Sequence, residues 1–403
     1  MVRGVALMAP VVVLLVAARV RRPGEPRIAA ALLATVWNLT VLAVVNVVAS
    51  QAGWWEFHAE GALLARVPVD LLLGWALLWG ACPVLAAPRA PIALTSAVLA
   101  WLDLALMPRA GPVVALGPLW LAGEATAIAF ALVPGLLLAR WTEERRLLPA
   151  RVAFQVALAS GLGLAAPVLT TGVWRQPAWA LALAAQALAA PMLLGLAAVR
   201  EFAAVGGGTP LPYDPPGRLV TGGPYAYVRN PMQVAMTAGY LVLAALDAVF
   251  LVAAFVTFCY GAGLAAWHEG ERLEQRFGGA WHDYRRRVRP WIPRLRPAMP
   301  PASLYVATTC GQCRQVGGWI ARRGPVALRL VAAEAHPAGL RRMTYERADG
   351  ARAEGVAAFA QALTHIHLGW ASAGWLLLLP GVRWFVQLCL DALGAGPRTR
   401  VKG

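Results

Sequence analysis

Long runs of apolar residues recur along most of the chain, and short polar connections separate them. One helical crossing of a bilayer needs about 20 mostly apolar residues. The longer runs and two shorter ones predict about nine spans, near 4–20, 28–50, 67–87, 91–107, 114–139, 152–172, 177–199, 232–246 and 248–267. The pattern therefore predicts an all-α polytopic membrane protein. The first run is expected to be a retained span, because its stronger basic cluster follows the apolar stretch.

The apolar stretch from Trp375 to Leu393 differs from these runs because Pro380 and Arg383 interrupt it. A proline inside a helix removes a hydrogen bond and bends or ends the helix. We therefore expect two helices here, packed on a sheet or lying on the membrane, rather than a further span.

Composition supports the membrane prediction and sets the expected orientation. Hydrophobic residues make up 59% of the chain and charged residues only 14%, well below the quarter that soluble domains carry. The formal charge of +16 could indicate a nucleic-acid partner, but much of the arginine lies in short connections and in the tail after Trp267. That distribution is typical of positive-inside bias, so no nucleic-acid partner is predicted.

Arginine-rich connections alternate with one that has no basic residue, and this alternation predicts a multi-pass protein of the cell membrane. The N-terminus is expected outside, and the 200–231 loop and everything after about residue 268 in the cytoplasm. The basic connections contain Arg19, Arg21, Arg22 and Arg27 in the first and Arg140, Arg145, Arg146 and Arg151 in the fifth.

Three regions are predicted along the chain. Residues 1–148 hold five spans, and 149–298 hold four more and an arginine-rich tail. A proline-rich linker over 289–301 leads to a third region, 299–403, which is more soluble. There a strand-like run, a helix-like run and a second strand near 328–336 precede an Asp-Gly pair within 343–355, and this pair favours the tight turn of a hairpin. This order predicts a small α/β domain.

Two motifs at membrane thresholds are candidates for chemistry. The stretch GGPYAYVRNPMQ, residues 222–233, precedes one apolar run, and WHEGERLEQRFGGAWHDYRRRVRPWIPRLRP, residues 267–297, follows another. Irregular backbone at membrane depth is tolerated only where protein or a polar cavity covers it. The first motif therefore indicates a cavity, and its glycines, Gly222 and Gly223, let the backbone bend closely around a ligand.

The two motifs resemble the isoprenylcysteine carboxyl methyltransferase and phospholipid methyltransferase superfamily of integral membrane enzymes, over about residues 205–297. The resemblance implies that both motifs converge on S-adenosylmethionine and that a lipid or lipid-attached substrate enters from the bilayer. It implies catalytic roles for Arg229 and Glu269, and a cofactor site formed by Gly223, Pro224, Tyr225, Arg229, Asn230, Pro231, His268 and Glu269. The further matching positions are Val228, Leu273, Phe277, Gly278, Tyr284 and Pro293.

The residue types fit methyl transfer, which depends mainly on positioning and electrostatics. Arg229 suits a carboxylate of the cofactor or the substrate. Glu269 suits the cofactor's positive charge, hydrogen bonds from it, or a proton from an amine nucleophile. The alternatives are a positive-inside role for Arg229 and interfacial anchoring for Tyr225 and Tyr227.

Departures from the family pattern keep a second hypothesis open. Gly270 replaces the second glutamate of the family's pair, and Gln233 and Ala235 replace a tyrosine and a glycine. The alternative is a membrane-tethered thiol-disulfide oxidoreductase whose methyltransferase-like part is a degenerate anchor.

The pair Cys310-Gly-Gln-Cys313 lies between a strand-like and a helix-like run, where a thioredoxin-type redox pair belongs. Residues 302–398 resemble the DCC family of thiol-disulfide oxidoreductase-like domains, which implies a thioredoxin-like fold. Ala307 and Cys389 stand where that family has an aspartate and a tyrosine. A structural pair and half of a zinc site are the alternatives.

Three carboxylates fall inside predicted spans. Asp70 has Arg66 one helical turn away as an expected partner. Asp103 and Glu124 lack an obvious partner, so they either line a lipid-substrate cavity or pair between helices. These two carboxylates are the basis of the third functional hypothesis, a transporter.

No metal site is predicted, since the spacing of His268, Glu269 and His282 does not suit a helical zinc site, and the His365-x-His367 pair is far in sequence from the cysteines.

Overall fold

The computed structural model describes residues 2–58, 61–64, 67–210 and 216–397. The chain forms two compact units, Met1–Thr170 and Thr171–Gly403. Within the described part, eight helical segments are long and apolar enough to cross a membrane: Arg3–Arg21, Glu25–Ala52, Val69–Ala86, Ile92–Ala110, Trp120–Glu143, Leu148–Thr171, Ala178–Gly206 and Val249–Phe277. The predicted polytopic helical fold with a small C-terminal sheet region is confirmed.

The first unit is built from helices and two short strand pairs. Strand β1 pairs antiparallel with β4, and β2 pairs antiparallel with β3. The helices are α1 Val2–Arg21, α2 Glu25–Ala52, α3 Val69–Trp79, α4 Ala81–Ala86, α5 Ile92–Leu106, α6 Trp120–Ala127, α7 Val133–Glu143, α8 Leu148–Ser160 and α9 Ala166–Thr171, and the strands are β1 Trp55–Phe57, β2 Leu63–Leu64, β3 Val67–Pro68 and β4 Val114–Leu116.

Small residues allow the helices of this unit to approach closely, as is common between membrane helices. At Gly80, between α3 and α4, an added Cβ would lie 2.6 Å from the Cα atom of Thr35 on α2. Around this contact the core is aromatic, with Trp55 and Trp79 buried, and the Trp55 indole donates to Asn46 Oδ1 over 2.8 Å.

One predicted span of the first unit begins later than expected. Residues 114–116 form β4, and the helix starts at Trp120. Gly117 and Pro118 lie between them, and a proline cannot continue the ladder of a strand or the interior of a helix. The apolar run therefore changes its structure at this pair.

The second unit begins with helices α10, α11 and α12, which precede its sheet. Helix α11 packs against both α10 and α12; a short connection joins it to α12, and the longer connection from α10 contains the first motif. Helix α11 has 14 residues and is shorter than a complete crossing requires. The helices are α10 Ala178–Glu201, α11 Pro231–Ala244, α12 Val249–Tyr260, α13 Ala266–Phe277 and α14 Gly279–Arg287.

The last predicted span ends later than expected. A π-helical segment, Gly261–Ala265, joins α12 to α13, so one helical segment runs from Val249 to Phe277. The polar run after Trp267 continues this helix because Leu273 and Phe277, four residues apart, pack on one face against the first motif. Glu269 thus lies on the helix that continues directly from the last predicted span.

The C-terminal sheet has the strand order β6-β5-β7-β8. The β5–β6 pair is parallel, and β5–β7 and β7–β8 are antiparallel. The strand-like run ahead of the cysteine pair, the strand predicted near 328–336 and the hairpin around Asp349-Gly350 are confirmed. The elements are β5 Ala302–Val306, α15 Gly311–Ala321, β6 Leu328–Ala332, β7 Thr344–Arg347, β8 Arg352–Glu354, α16 Val356–Leu363, α17 Leu368–Leu378 and α18 Pro380–Leu390.

Helices α17 and α18 meet at an angle of 85°, so the break predicted at Pro380 is confirmed. By length and composition the bent pair also qualifies as one broken span, which would raise the number of candidate spans in the described part to nine. Short 3-10 turns occur at Met107–Ala110, Val173–Arg175, Gly223–Ala226 and Ala333–Ala335, and further π-helical segments at Ile128–Leu132, Gly161–Ala165, Phe202–Gly206 and Asp391–Ala395.

Candidate active site

The first motif folds as a 3-10 turn, Gly223–Ala226, followed by helix α11. Gly223 has a φ of 56°, a left-handed conformation that favours glycine. Pro231 occupies the first turn of α11, where the missing N–H costs nothing because that donor has no partner within the helix. The turn is buried, so protein covers its irregular backbone.

The chain that follows the second motif bonds to the backbone of the first. Arg229 N–H donates to the Arg289 carbonyl over 2.8 Å, and Arg294 N–H donates to the Tyr227 carbonyl over 2.9 Å. The Ala298 N–H donates to the Ala226 carbonyl over 2.9 Å. The proline-rich stretch has no regular structure of its own, so these bonds satisfy the polar groups of both segments.

A tyrosine from the second motif closes the same joint. The buried Tyr284 hydroxyl donates to the Tyr225 carbonyl over 2.9 Å. Burial raises the pKa of the Tyr225 hydroxyl, and the nearby Tyr284 and Glu269 add to that shift. Burial also raises the pKa of Tyr284, while the positive charge of Arg229 acts in the opposite direction. Glu269 therefore lies near Tyr225, and Arg229 lies near Tyr284, at this hydrogen-bonded joint.

Arg229 is half-buried, and its guanidinium lies 5.8 Å from the centre of the Trp281 ring. Burial lowers the pKa of Arg229, and the nearby Arg285 lowers it further. Among the residues that the structure describes, no carboxylate forms an ion pair with this guanidinium. The buried Trp281 indole N–H also has no acceptor within the described part. These two donors are free to bind an anionic group.

Glu269 lies on α13 with its side chain exposed and, within the described ranges, without a hydrogen bond or ion pair. The neighbouring His268 is also exposed, and its ring centroid lies 6.5 Å from that of Trp267. Asn230 is half-buried at the start of α11, where its N–H donates to the Pro290 carbonyl over 3.3 Å. Gly270, which replaces a family glutamate, faces open space.

The sequence did not predict an ion pair that lies beside the two glycines. Arg347 Nη2 contacts Glu201 Oε1 at 2.6 Å, and the two side chains are 0% and 4% exposed. An added Cβ at Gly222 would collide with the Arg347 guanidinium, and one at Gly223 would lie 3.0 Å from the Glu201 side chain. The glycines thus make room for this pair. The available signal was an acidic residue, Glu201, at the end of a long apolar run.

The cysteine pair lies at the start of α15, as predicted. Cys310 is the N-cap of the helix, and its sulfur accepts the Cys313 N–H over 3.2 Å. Both cysteines are half-buried. Glu334 accepts the Thr308 N–H over 2.9 Å and so fixes the preceding loop. Hydrogen bonds from its own backbone N–H and from Thr309 hold the Glu334 pKa at about 2.

The three carboxylates that the sequence placed inside spans have different surroundings. Asp70 pairs with Arg3 at 2.8 Å, whereas Arg66, the expected partner, lies outside the described residues. Asp103 and Glu124 are buried close to each other. This placement favours pairing between helices over the alternative, in which the two carboxylates line a cavity for a lipid substrate. Within the described part, no donor bonds to either Glu124 oxygen.

The two histidines of the His-x-His pair have structural contacts. His365 is fully buried between the Val326 carbonyl, 2.7 Å from Nδ1, and the Tyr345 hydroxyl, 2.8 Å from Nε2. His367 accepts the Gly369 N–H through Nδ1 and caps α17. Their rings are used in packing and capping.

Comparison with known proteins adds one family. Residues 179–279 match the model of the phospholipid methyltransferase family. The match covers about a quarter of the chain and includes α10, the first motif and Glu269, but ends before Tyr284. No curated protein and no solved structure gave a significant match. The family match supports an integral membrane methyltransferase type for this part of the second unit.

Proposed function

We propose that the protein is a membrane methyltransferase that uses S-adenosylmethionine to modify a small or lipid-attached acceptor at the cytoplasmic side of the cell membrane. One observation carries the proposal: hydrogen bonds join the two motifs, from the Tyr284 hydroxyl to the Tyr225 carbonyl and from the Arg229 N–H to the Arg289 carbonyl. Arg229 and Glu269 lie near this joint, and neither side chain has an ion-pair partner in the described part. They lie in the two motifs that the sequence resemblance selected.

The residues fit the cofactor by charge. The unpaired Arg229 guanidinium and the Trp281 indole N–H would bind the cofactor's carboxylate through charge-assisted hydrogen bonds. Glu269 would bind the ammonium or face the sulfonium. When bound, the cofactor supplies an electrophilic methyl group. The protein's contribution is to hold this group in line with the acceptor and to exclude water, which needs few catalytic residues.

The exposed face of Glu269 leaves a route for the acceptor. In a membrane, exposed apolar side chains on the same helical segment, such as Phe255 and Leu264, would contact lipid. An acceptor carried by a lipid would therefore reach Glu269 along this surface. If the acceptor is an amine, Glu269 is placed to take its proton.

Calorimetric titration of the purified full-length protein with S-adenosylmethionine tests the proposal. Arg229→Ala and Glu269→Ala should each weaken binding or turnover by about tenfold or more, because each removes a charged partner. Arg287→Ala and Glu271→Ala are matched controls, since Arg287 bonds to its own helix and Glu271 is exposed two residues beyond Glu269. Unchanged cofactor binding in both test variants would overturn the proposal. Labelled cofactor and a membrane lipid extract would then identify the acceptor.

A second function is proposed for the C-terminal sheet on a separate observation. The placement of Cys310 at the N-cap of α15, beside parallel β5 and β6, supports a thioredoxin-like redox domain. The two thiols would give two electrons and two protons to a disulfide substrate, forming the Cys310–Cys313 disulfide and two substrate thiols. Thiol trapping during a redox titration should show both cysteines oxidised together. Cys259, which is exposed on α12, serves as the internal control.

A further inference from the structure

A large cavity lies in the second unit, outside the two motifs. Its volume is about 730 Å³, and it lies among the end of α10, strand β8, α16 and α18. Most of its lining comes from the C-terminal sheet region, beyond the segment that matches the methyltransferase family. The cavity is therefore not accounted for by the proposed methyl-transfer site.

Every carboxylate that lines the cavity already has an arginine partner. Glu201 pairs with Arg347 at 2.6 Å. The other two, Glu354 and Asp391, pair with Arg352 at 3.2 Å and with Arg342 at 2.6 Å. The negative charge of the lining is thus neutralised within the protein.

Two lining arginines remain without a partner in the described part of the chain. Arg200, in the last turn of α10, and Arg383, on α18, both line the cavity. Arg200 is half-buried, which makes an unpaired charge costly. An anion bound between the two guanidiniums would give each of them a partner of opposite charge.

The rest of the lining indicates what carries the anion. The side-chain oxygen of Gln361, a residue only 6% exposed, has no donor within the described ranges, so a ligand hydroxyl could pair with it. Trp384 and Leu388 of α18 line the cavity and are also exposed, with Phe385 beside them. An exposed apolar face of this kind favours contact with acyl chains at a membrane surface.

We propose that this cavity binds the phosphate headgroup of an anionic membrane lipid between Arg200 and Arg383. The headgroup hydroxyls would face Gln361, and the acyl chains would follow the apolar face of α18. Arg383 and Arg200 lie on separate elements, so the bound phosphate would link the C-terminal region to the end of a membrane helix.

The test uses the full-length protein in detergent micelles and three probes of known chemistry. Fluorescent phosphatidylglycerol should bind about tenfold or more tightly than phosphatidylcholine of the same chain length, because only the former carries net charge. Arg200→Gln and Arg383→Gln should each remove most of this preference. Arg341→Gln, an exposed arginine that does not line the cavity, should leave it unchanged.

The third probe, glycerol phosphate, distinguishes the two sources of phosphate. If it competes as strongly as the lipid and Trp384→Ser has no effect, the anion site is supported and its lipid source is overturned. Arg200→Lys keeps the charge and should retain part of the preference. Equal binding of both lipids by the wild type, or unchanged preference in Arg200→Gln and Arg383→Gln, would overturn the proposal. S-Adenosylmethionine binding should persist in these variants, which separates this result from failure of the methyltransferase proposal.

Discussion

The buried pair of Arg347 and Glu201 joins the C-terminal sheet to the end of α10, and its removal gives a sharp prediction. Arg347→Met keeps much of the side-chain length but removes the charge. Glu201, whose side chain is 4% exposed, would then be a buried carboxylate without a cation. Asp349, which bonds the same guanidinium at 2.9 Å, would lose its partner too.

The expected loss follows from these contacts. Breaking a buried pair by removing one partner typically costs about 3–5 kcal/mol, because the desolvation of the remaining charge is no longer compensated. Since a whole domain is stable by only about 5–15 kcal/mol, the single variant should lose a large part of its stability. The double variant Arg347→Met with Glu201→Gln removes both charges and should recover most of the loss.

Unfolding in mixed micelles, followed by tryptophan fluorescence, compares the free energy of unfolding of the wild type, the single variant and the double variant. Gly222→Ala provides an independent check of the geometry. Its new Cβ would collide with the Arg347 guanidinium, so it should destabilise the wild type but cost little once Arg347 is methionine. A loss below about 1 kcal/mol for Arg347→Met, within the range of an exposed pair, would refute the reasoning. So would equal effects of Gly222→Ala in both backgrounds.

Three further outcomes are expected. Burial lowers the pKa of His365 to about 4, so the folded state resists protonation while the unfolded state does not. The free energy of unfolding should keep the full contribution of the neutral His365 above about pH 6.5 and fall by up to about 3 kcal/mol as the pH drops towards 4. Unfolding curves of His365→Asn, measured over the same pH range, should show a smaller dependence on pH. Tyr284→Phe removes the bond to the Tyr225 carbonyl and should cost about 1 kcal/mol and weaken cofactor binding in calorimetry. Glu334 accepts hydrogen bonds from the loop before the cysteine pair, so Glu334→Gln should shift the reduction potential of the pair. It should also remove the loss of loop stability that acid causes between about pH 4.5 and 2. An unchanged potential in a redox titration would contradict the role of Glu334 in holding this loop.

The apolar pattern alone determined the membrane fold. A run of the right length must be helical, since no other open structure satisfies the backbone in lipid. The same reasoning predicted the break at Pro380 and the hairpin at Asp349-Gly350, both confirmed, because proline and glycine act through local backbone geometry.

Only the tertiary structure decided which charges meet. Arg347 and Glu201 are separated by 146 positions, and Arg3 and Asp70 by 67, so no local period links either pair. The sequence treated the glycines beside Arg229 as room for a ligand, whereas their immediate neighbours are Arg347 and Glu201. Spacing along a chain reports local geometry within a turn or a few residues. The contact between distant charges depends on how helices and sheet pack, and the apolar pattern leaves that packing undetermined.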